Sequence, residues 1–286
     1  MDSFNNLIKL AWEKRYTKIA FPIVFAACLI GVLYCPLPDE IAASLEIRIV
    51  IGISFALIVT LIWWHYHLPE KVRNGCIGIV VAIRSEDLKT QTRTSEDFIA
   101  ECKKLLAQST AQRPFQLIEL HEFHSRSATD IATADQLRKR CEASFLIFGS
   151  MSQRKERGRN FYVLKLDGIV CHAPINKVDQ SLLAQEMKAV LPLKHSILED
   201  DELSGFEITS IQLAEATKYV IATAALLSND ALLAISLLEE IQNNKQRLKN
   251  ANVKSIHKLL ELVPKRLTEA YRFMSLKHIA TWETTR

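Results

Sequence analysis

The chain has 286 residues, a net charge of +4 and 49% hydrophobic residues, enough for an apolar N-terminal segment of about 75 residues and one or two folded domains in the remaining 210 or so. Its six Cys lack Cys-x-x-Cys spacing and suit reduced, buried thiols better than a disulfide framework. Only eight Gly occur, and no Gly-x-Gly-x-x-Gly or P-loop pattern follows the first predicted strand, which excludes dinucleotide and P-loop binding. Charge is uneven: residues 1–75 carry 7 basic and 6 acidic groups, 76–244 carry 19 and 23, and 245–286 carry 10 and 3, so the net basicity belongs to the tail.

Residues 1–18 open with Phe4, Leu7, Ile8, Ala11 and Trp12 at helical spacing, the pattern of an amphipathic interfacial helix or of a plain extension of the helix that follows. Ile19 to Cys35 and Ile49 to Trp64 are apolar runs without a charged residue, separated by 13 residues. They predict a transmembrane hairpin over 19–70, with spans near 19–35 and 47–66. Two buried helices of a core are the alternative. Lys9, Lys14, Arg15, Lys18, Lys71 and Arg73 flank the runs while Asp39, Glu40 and Glu46 lie between them, which predicts both termini on the cytoplasmic side of a bacterial inner membrane. No cleavable signal is expected, because the first run lacks a small-residue cleavage site. Ala27 with Gly31, and Gly52 with Ala56, are small-residue pairs of the kind that let helices approach, within the hairpin or between protomers.

An α/β domain is expected over 75–195. Cys76 to Ile83 is a continuous β-branched run, the pattern of a strand buried on both faces. A polar loop, Arg84 to Ser95, then meets a helix whose start is signalled by Thr94 with Asp97 three residues on. Phe115 to Leu120 reads as a second strand, Ala128 to Cys141 as a helix, Ser144 to Gly149 as a third strand and Phe161 to Leu166 as a fourth. Asp167-Gly168 is a two-residue hairpin signal leading into a fifth strand, Ile169 to Pro174, and Val178 to Leu191 reads as a helix. This order implies a mixed sheet with helices packed on it.

The stretch Gln136 to Ser150, followed by a charged turn and Phe161 to Asp167, resembles the core of TolB N-terminal-like and FlgO-like domains. The resemblance covers at most 76–175 and implies a binding or assembly module without catalytic residues, placed between a membrane segment and helical repeats.

Glu199 to Glu202, with Ser204 and Gly205, reads as an acidic linker. The remainder, 206–286, is expected to be helical: Ile211 to Leu227, Asp230 to Leu248 and Val253 to Ala280 have helical periodicity. Tyr219 to Glu240 resembles the helix-turn-helix of a tetratricopeptide repeat, and Arg266 to Tyr271 the first helix of another. About one and a half repeats are too few for a free-standing solenoid. The helices therefore either pack on the α/β domain or continue in a longer chain.

The complete reading of the fold is thus α/β, with an N-terminal two-helix transmembrane hairpin and a C-terminal helical, repeat-like bundle. Two sets of residues stand out for chemistry. Arg84, Thr92, Arg93, Thr94 and Ser95, with Thr90, lie after the first strand where open α/β sheets bind ligands, and offer guanidinium groups and hydroxyls to an anion; a solvated, well-capped loop is the alternative. Arg154, Lys155, Arg157 and Arg159 crowd one hairpin tip, where they would meet an anionic surface or remain a solvated turn. Glu119, His121, Glu122 and His124 do not form a metal site on a strand end, because His121 and His124 would face opposite ways, and no cofactor is expected. The function expected from the sequence is a membrane-anchored, non-enzymatic sensing or scaffold module that binds a protein partner through its C-terminal helices. The alternative is a membrane effector gated by a nucleotide-type signal, oligomerising to breach the bilayer in defence or stress. Membrane lipids, a protein partner, a second copy and a small anionic ligand are the expected partners. Nucleic acid is not, since the basic cluster has no aromatic residue for stacking.

Overall fold

A computed structural model describes residues 50–58, 61, 69–156, 158–171, 176–191, 194–198, 202–250 and 254–284. The chain divides into two units, 1–69 and 70–286. In the first, residues 50–58 are helical, with Gly52 and Ala56 buried and Val50, Ile53, Phe55, Leu57 and Ile58 exposed. The transmembrane hairpin expected from hydropathy is corrected here: among the described residues no helix is long and apolar enough to cross a membrane. The run 19–35 and the segment 1–18 lie outside the described residues, and of the run 47–66 only 50–58 and 61 are described as helix. The inner-membrane location, the topology and the anchoring fall with the hairpin. Hydropathy alone does not separate a spanning helix from a buried one.

The second unit is built on β1 (Ile77–Ser85), whose β-branched residues are buried on both sides, as the uninterrupted apolar run requires. It pairs in parallel with β2 (Phe115–Glu119) on one side and β3 (Phe145–Glu156) on the other. Antiparallel β4 (Arg159–Val170) and β5 (Lys194–Leu198) complete a mixed sheet of order β2-β1-β3-β4-β5. The predicted turn at Asp167-Gly168 is absent, since β4 runs straight through it and the last strand is Lys194–Leu198 rather than Ile169 to Pro174. A Cβ on Gly168 would lie 2.9 Å from the Phe145 ring, so this glycine makes room for an aromatic ring instead of turning the chain.

Helices cover the sheet unequally. From β1 the chain passes into α1 (Leu88–Arg93), a π-helical turn Thr94–Ile99 and α2 (Ala100–Ala107), which continue one another. The cap of this helix is Asp87, whose carboxylate accepts from Thr90 N at 2.7 Å, rather than Thr94. After β2 come the short α3 (Glu122–Ser125) and α4 (Ile131–Arg140), the latter held by an Asp130–Thr133 capping box. Beyond β4 lie α5 (Lys177–Val190), α6 (Glu202–Leu227), α7 (Ala231–Asn243), α8 (Lys245–Asn250) and α9 (Lys254–Thr284).

One core takes Ile77, Ile79, Val81 and Ile83 of β1 together with Phe145, Ile147 and Met151 of β3, Tyr162, Leu164 and Leu166 of β4, and residues of α2, α5, α6, α7 and α9. The C-terminal helices therefore pack on the sheet. Gly205, expected in a linker, lies inside α6, where a Cβ would come within 2.5 Å of Ile197 of β5. A smaller core on the other face joins Val80, Ala82, Ile118, Leu146 and Phe148 to Ala134, Leu137 and Cys141 of α4.

Because α6 is enclosed on nearly every side, its polar residues must find partners indoors. Lys218 bridges Glu215 at 2.9 Å and Glu240 of α7 at 2.7 Å, with its side chain 3% exposed. Tyr219 donates to Glu186 of α5 at 2.7 Å, and Arg266 of α9 meets the same carboxylate.

Candidate functional site

Strand alternation assigns each side chain of the sheet to a face. Val80 and Ala82 point to the α4 side, so Arg84, two residues on, shares that face. In register, Arg84 lies opposite Ser150, Ser150 opposite Lys165, and Lys165 opposite Lys194. Arg84, Ser150, Lys165 and Lys194 therefore form one row straight across β1, β3, β4 and β5, spanning about 14 Å at the usual strand spacing. Lys165, Lys194 and Ser196 are exposed, Arg84 and Ser150 half-buried. In the next row Ser152 and Ser196 flank Val163 on the same face.

The charge balance of the row is one-sided. Lys165 and Lys194 face each other directly, an arrangement that costs stability by itself. Arg84 Nε is enclosed without a hydrogen-bond partner among the described residues. On the strands, the carboxylates sharing this face are Asp167, beside Lys165, and Glu156 at the far end of the hairpin. Asp167 Oδ1 already accepts from Gly168 N at 2.8 Å. The opposite side of β5 is different in kind: His195 faces inward, and burial lowers its pKa.

Gly149 sets the height at which β4 passes β3. A Cβ there would lie 1.9 Å from the Lys165 carbonyl oxygen, so only glycine lets the two strands close at the level of the row.

The anion-binding residues expected after β1 are dispersed by the fold. Arg84 joins the row, but Arg84 to Ser95 is not a loop, since helix begins at Leu88. Thr90 is buried and bound to Asp87. Thr94 is buried on the other face, with its hydroxyl donating to the Thr90 carbonyl at 2.7 Å. Arg93 pairs with Asp97 at 3.2 Å, Ser95 donates to Glu119 at 2.9 Å, and Thr92 is exposed on the helix. Ser85 and Thr94 line a shallow open cleft shared with Glu119 and Glu122, whose carboxylates would oppose an anion.

At the β3–β4 hairpin, Arg154, Lys155 and Arg159 are exposed, and Arg157 lies outside the described residues. By register Arg154 and Arg159 share the face of the row while Lys155 is on the other. His124, expected on a strand end, is in α3. No group of His, Cys, Asp and Glu among the described residues is arranged to hold a metal ion.

Lys165, Lys194, Ser150 and Ser196 escaped the sequence reading. The alternation Leu164-Lys165-Leu166 carries the signal that Lys165 turns outward. Lys194 carries none, because β5 is too short and polar to stand out. Comparison with protein-family models, with curated protein sequences and with solved structures returned no match.

Proposed function

We propose that the chain is a binding module that holds an anionic ligand on the solvent-facing half of its sheet, over Arg84, Ser150, Lys165 and Lys194. The observation that carries this reading is the pairing of Lys165 with Lys194 across neighbouring strands, with Arg84 two strands away in the same row. A fold optimised only for stability would place a carboxylate or a β-branched residue opposite Lys165. Local rules broken without structural compensation concentrate where a ligand supplies the missing partner. Arg and Lys donate hydrogen bonds and accept none, so the chemistry of the row is retention of an anion.

The test separates fold from function. In the full chain, Lys194→Glu converts a like-charge pair into an ion pair and should stabilise the ligand-free protein slightly, by about 0.2–1 kcal/mol. The wild type should melt at higher temperature in phosphate, citrate or pyrophosphate than in chloride of equal ionic strength, and Lys194→Glu should lose that increment. A melting temperature indifferent to all three anions, or a Lys194→Glu variant that keeps the full increment, refutes the proposal.

A further inference from the structure

We infer that the anion held by this row is a phosphoryl compound, with a diphosphate group as its recognised part. This rests on the binding reading above and names its ligand class. Three features of the row select it. First, hydroxyls stand beside the cations: Ser150 lies between Arg84 and Lys165, and Ser196 follows Lys194 by two residues on the same exposed face. A carboxylate presents two oxygens in one plane, which a single Arg fork satisfies. A phosphoryl group presents three oxygens in different directions and matches donors arriving from several strands.

Second, the cations are spread in a line rather than gathered at a point. Lys165 and Lys194 are one strand apart, about 5 Å, while Arg84 and Lys165 are two strands apart, about 10 Å, with the Ser150 hydroxyl between them. The adjacent lysines suit one phosphoryl group, and Arg84 with Ser150 suits a second one linked to it. Third, the charge fits. Three cations answer a diphosphate, and Asp167, the nearest carboxylate on the strands of this face, turns one oxygen toward Gly168 N. Arg84, half-buried at the end of the row, brings the planar donor fork that a phosphoryl group accepts in two-pronged fashion.

The row offers no ring for base stacking. Phe148, the nearest aromatic residue on this face, belongs to the core under α4. Recognition therefore falls on the phosphates, not on an attached base.

Isothermal titration of the full chain with inorganic pyrophosphate and, in parallel, with citrate tests the inference, because the two ions carry similar charge at neutral pH. Pyrophosphate should bind at least about tenfold more tightly. Ser150→Ala should weaken pyrophosphate severalfold and leave citrate unchanged, and Lys165→Gln should weaken both. Lys103→Gln, an exposed charge on α2, should weaken neither. Equal binding of both ions, with Ser150→Ala silent, overturns the diphosphate inference and leaves an anion site that reads charge alone. Binding of neither ion, or binding that Lys165→Gln does not weaken, overturns the site itself.

Discussion

Replacing Lys218 by Met should destabilise the 70–286 unit by about 3–4 kcal/mol. The side chains of Lys218, Glu215 and Glu240 are 3%, 9% and 11% exposed, so none is well solvated. Each contact of under 3 Å is worth roughly 6 kcal/mol of gross attraction at an effective dielectric of 20, most of which desolvation offsets. Removing the cation leaves the desolvation and deletes the attraction. Glu240 still accepts from Ser109 Oγ at 2.6 Å and Thr110 N at 3.1 Å, which places the effect at the lower end of the range for a broken buried pair.

The pH dependence gives a second signature. Burial alone would lower the Lys218 pKa, but Glu215 and Glu240 overcome it and the net shift is upward from 10.5. The contribution of Lys218 is therefore complete below pH 10.5 and is lost as pH rises above it. In Lys218→Met that contribution is absent at every pH, so the deficit relative to the wild type should shrink as pH rises above 10.5. Urea denaturation followed by circular dichroism at neutral and alkaline pH measures both effects. A loss below about 1 kcal/mol, or one that does not change with pH, would show that the triad is not the buried lock described here.

Gly149→Ala places a Cβ 1.9 Å from the Lys165 carbonyl oxygen, and should cost about 1–3 kcal/mol or more and reduce the anion-dependent rise in melting temperature. Burial pushes the Cys102 thiol up to about 12 and the Cys141 thiol up to about 11, whereas Cys171 is exposed. Alkylation of the native chain near pH 8 should therefore modify Cys171 and spare Cys102 and Cys141, as read by peptide mass spectrometry. The Asp130 carboxyl is held below its ordinary 3.8, chiefly by the Thr133 amide with help from Thr129 and Ala132. Its contribution is present above pH 3.8 and lost as pH falls through the lowered value, so Asp130→Ala should lower the melting temperature at neutral pH and by progressively less in acid. Equal lowering at all pH values would rule out the cap as the cause.

The sequence by itself determined the elements whose signals are local. The apolar run Cys76 to Ile83 could only be a strand covered on both sides, and it is. The period of Phe98, Cys102 and Leu106 marked one buried helix face, and those three side chains lie in the core. Helical character after Gly205 was equally legible. The outward turn of Lys165 followed from its place between Leu164 and Leu166, once β4 was known to be a strand.

Tertiary structure decided what depends on partners far away in sequence. Whether Asp167-Gly168 turns or continues depends on the Phe145 ring that fills the space beside Gly168. Whether Gly205 is a linker or a helix-packing site depends on Ile197. Among the described residues no helix is long and apolar enough to cross a membrane. The row Arg84–Ser150–Lys165–Lys194 draws on four strands, one parallel and two antiparallel pairings having brought β1, β3, β4 and β5 into one sheet. Its members lie up to 110 residues apart in the chain, and no spacing rule links them, because register is a property of the assembled sheet.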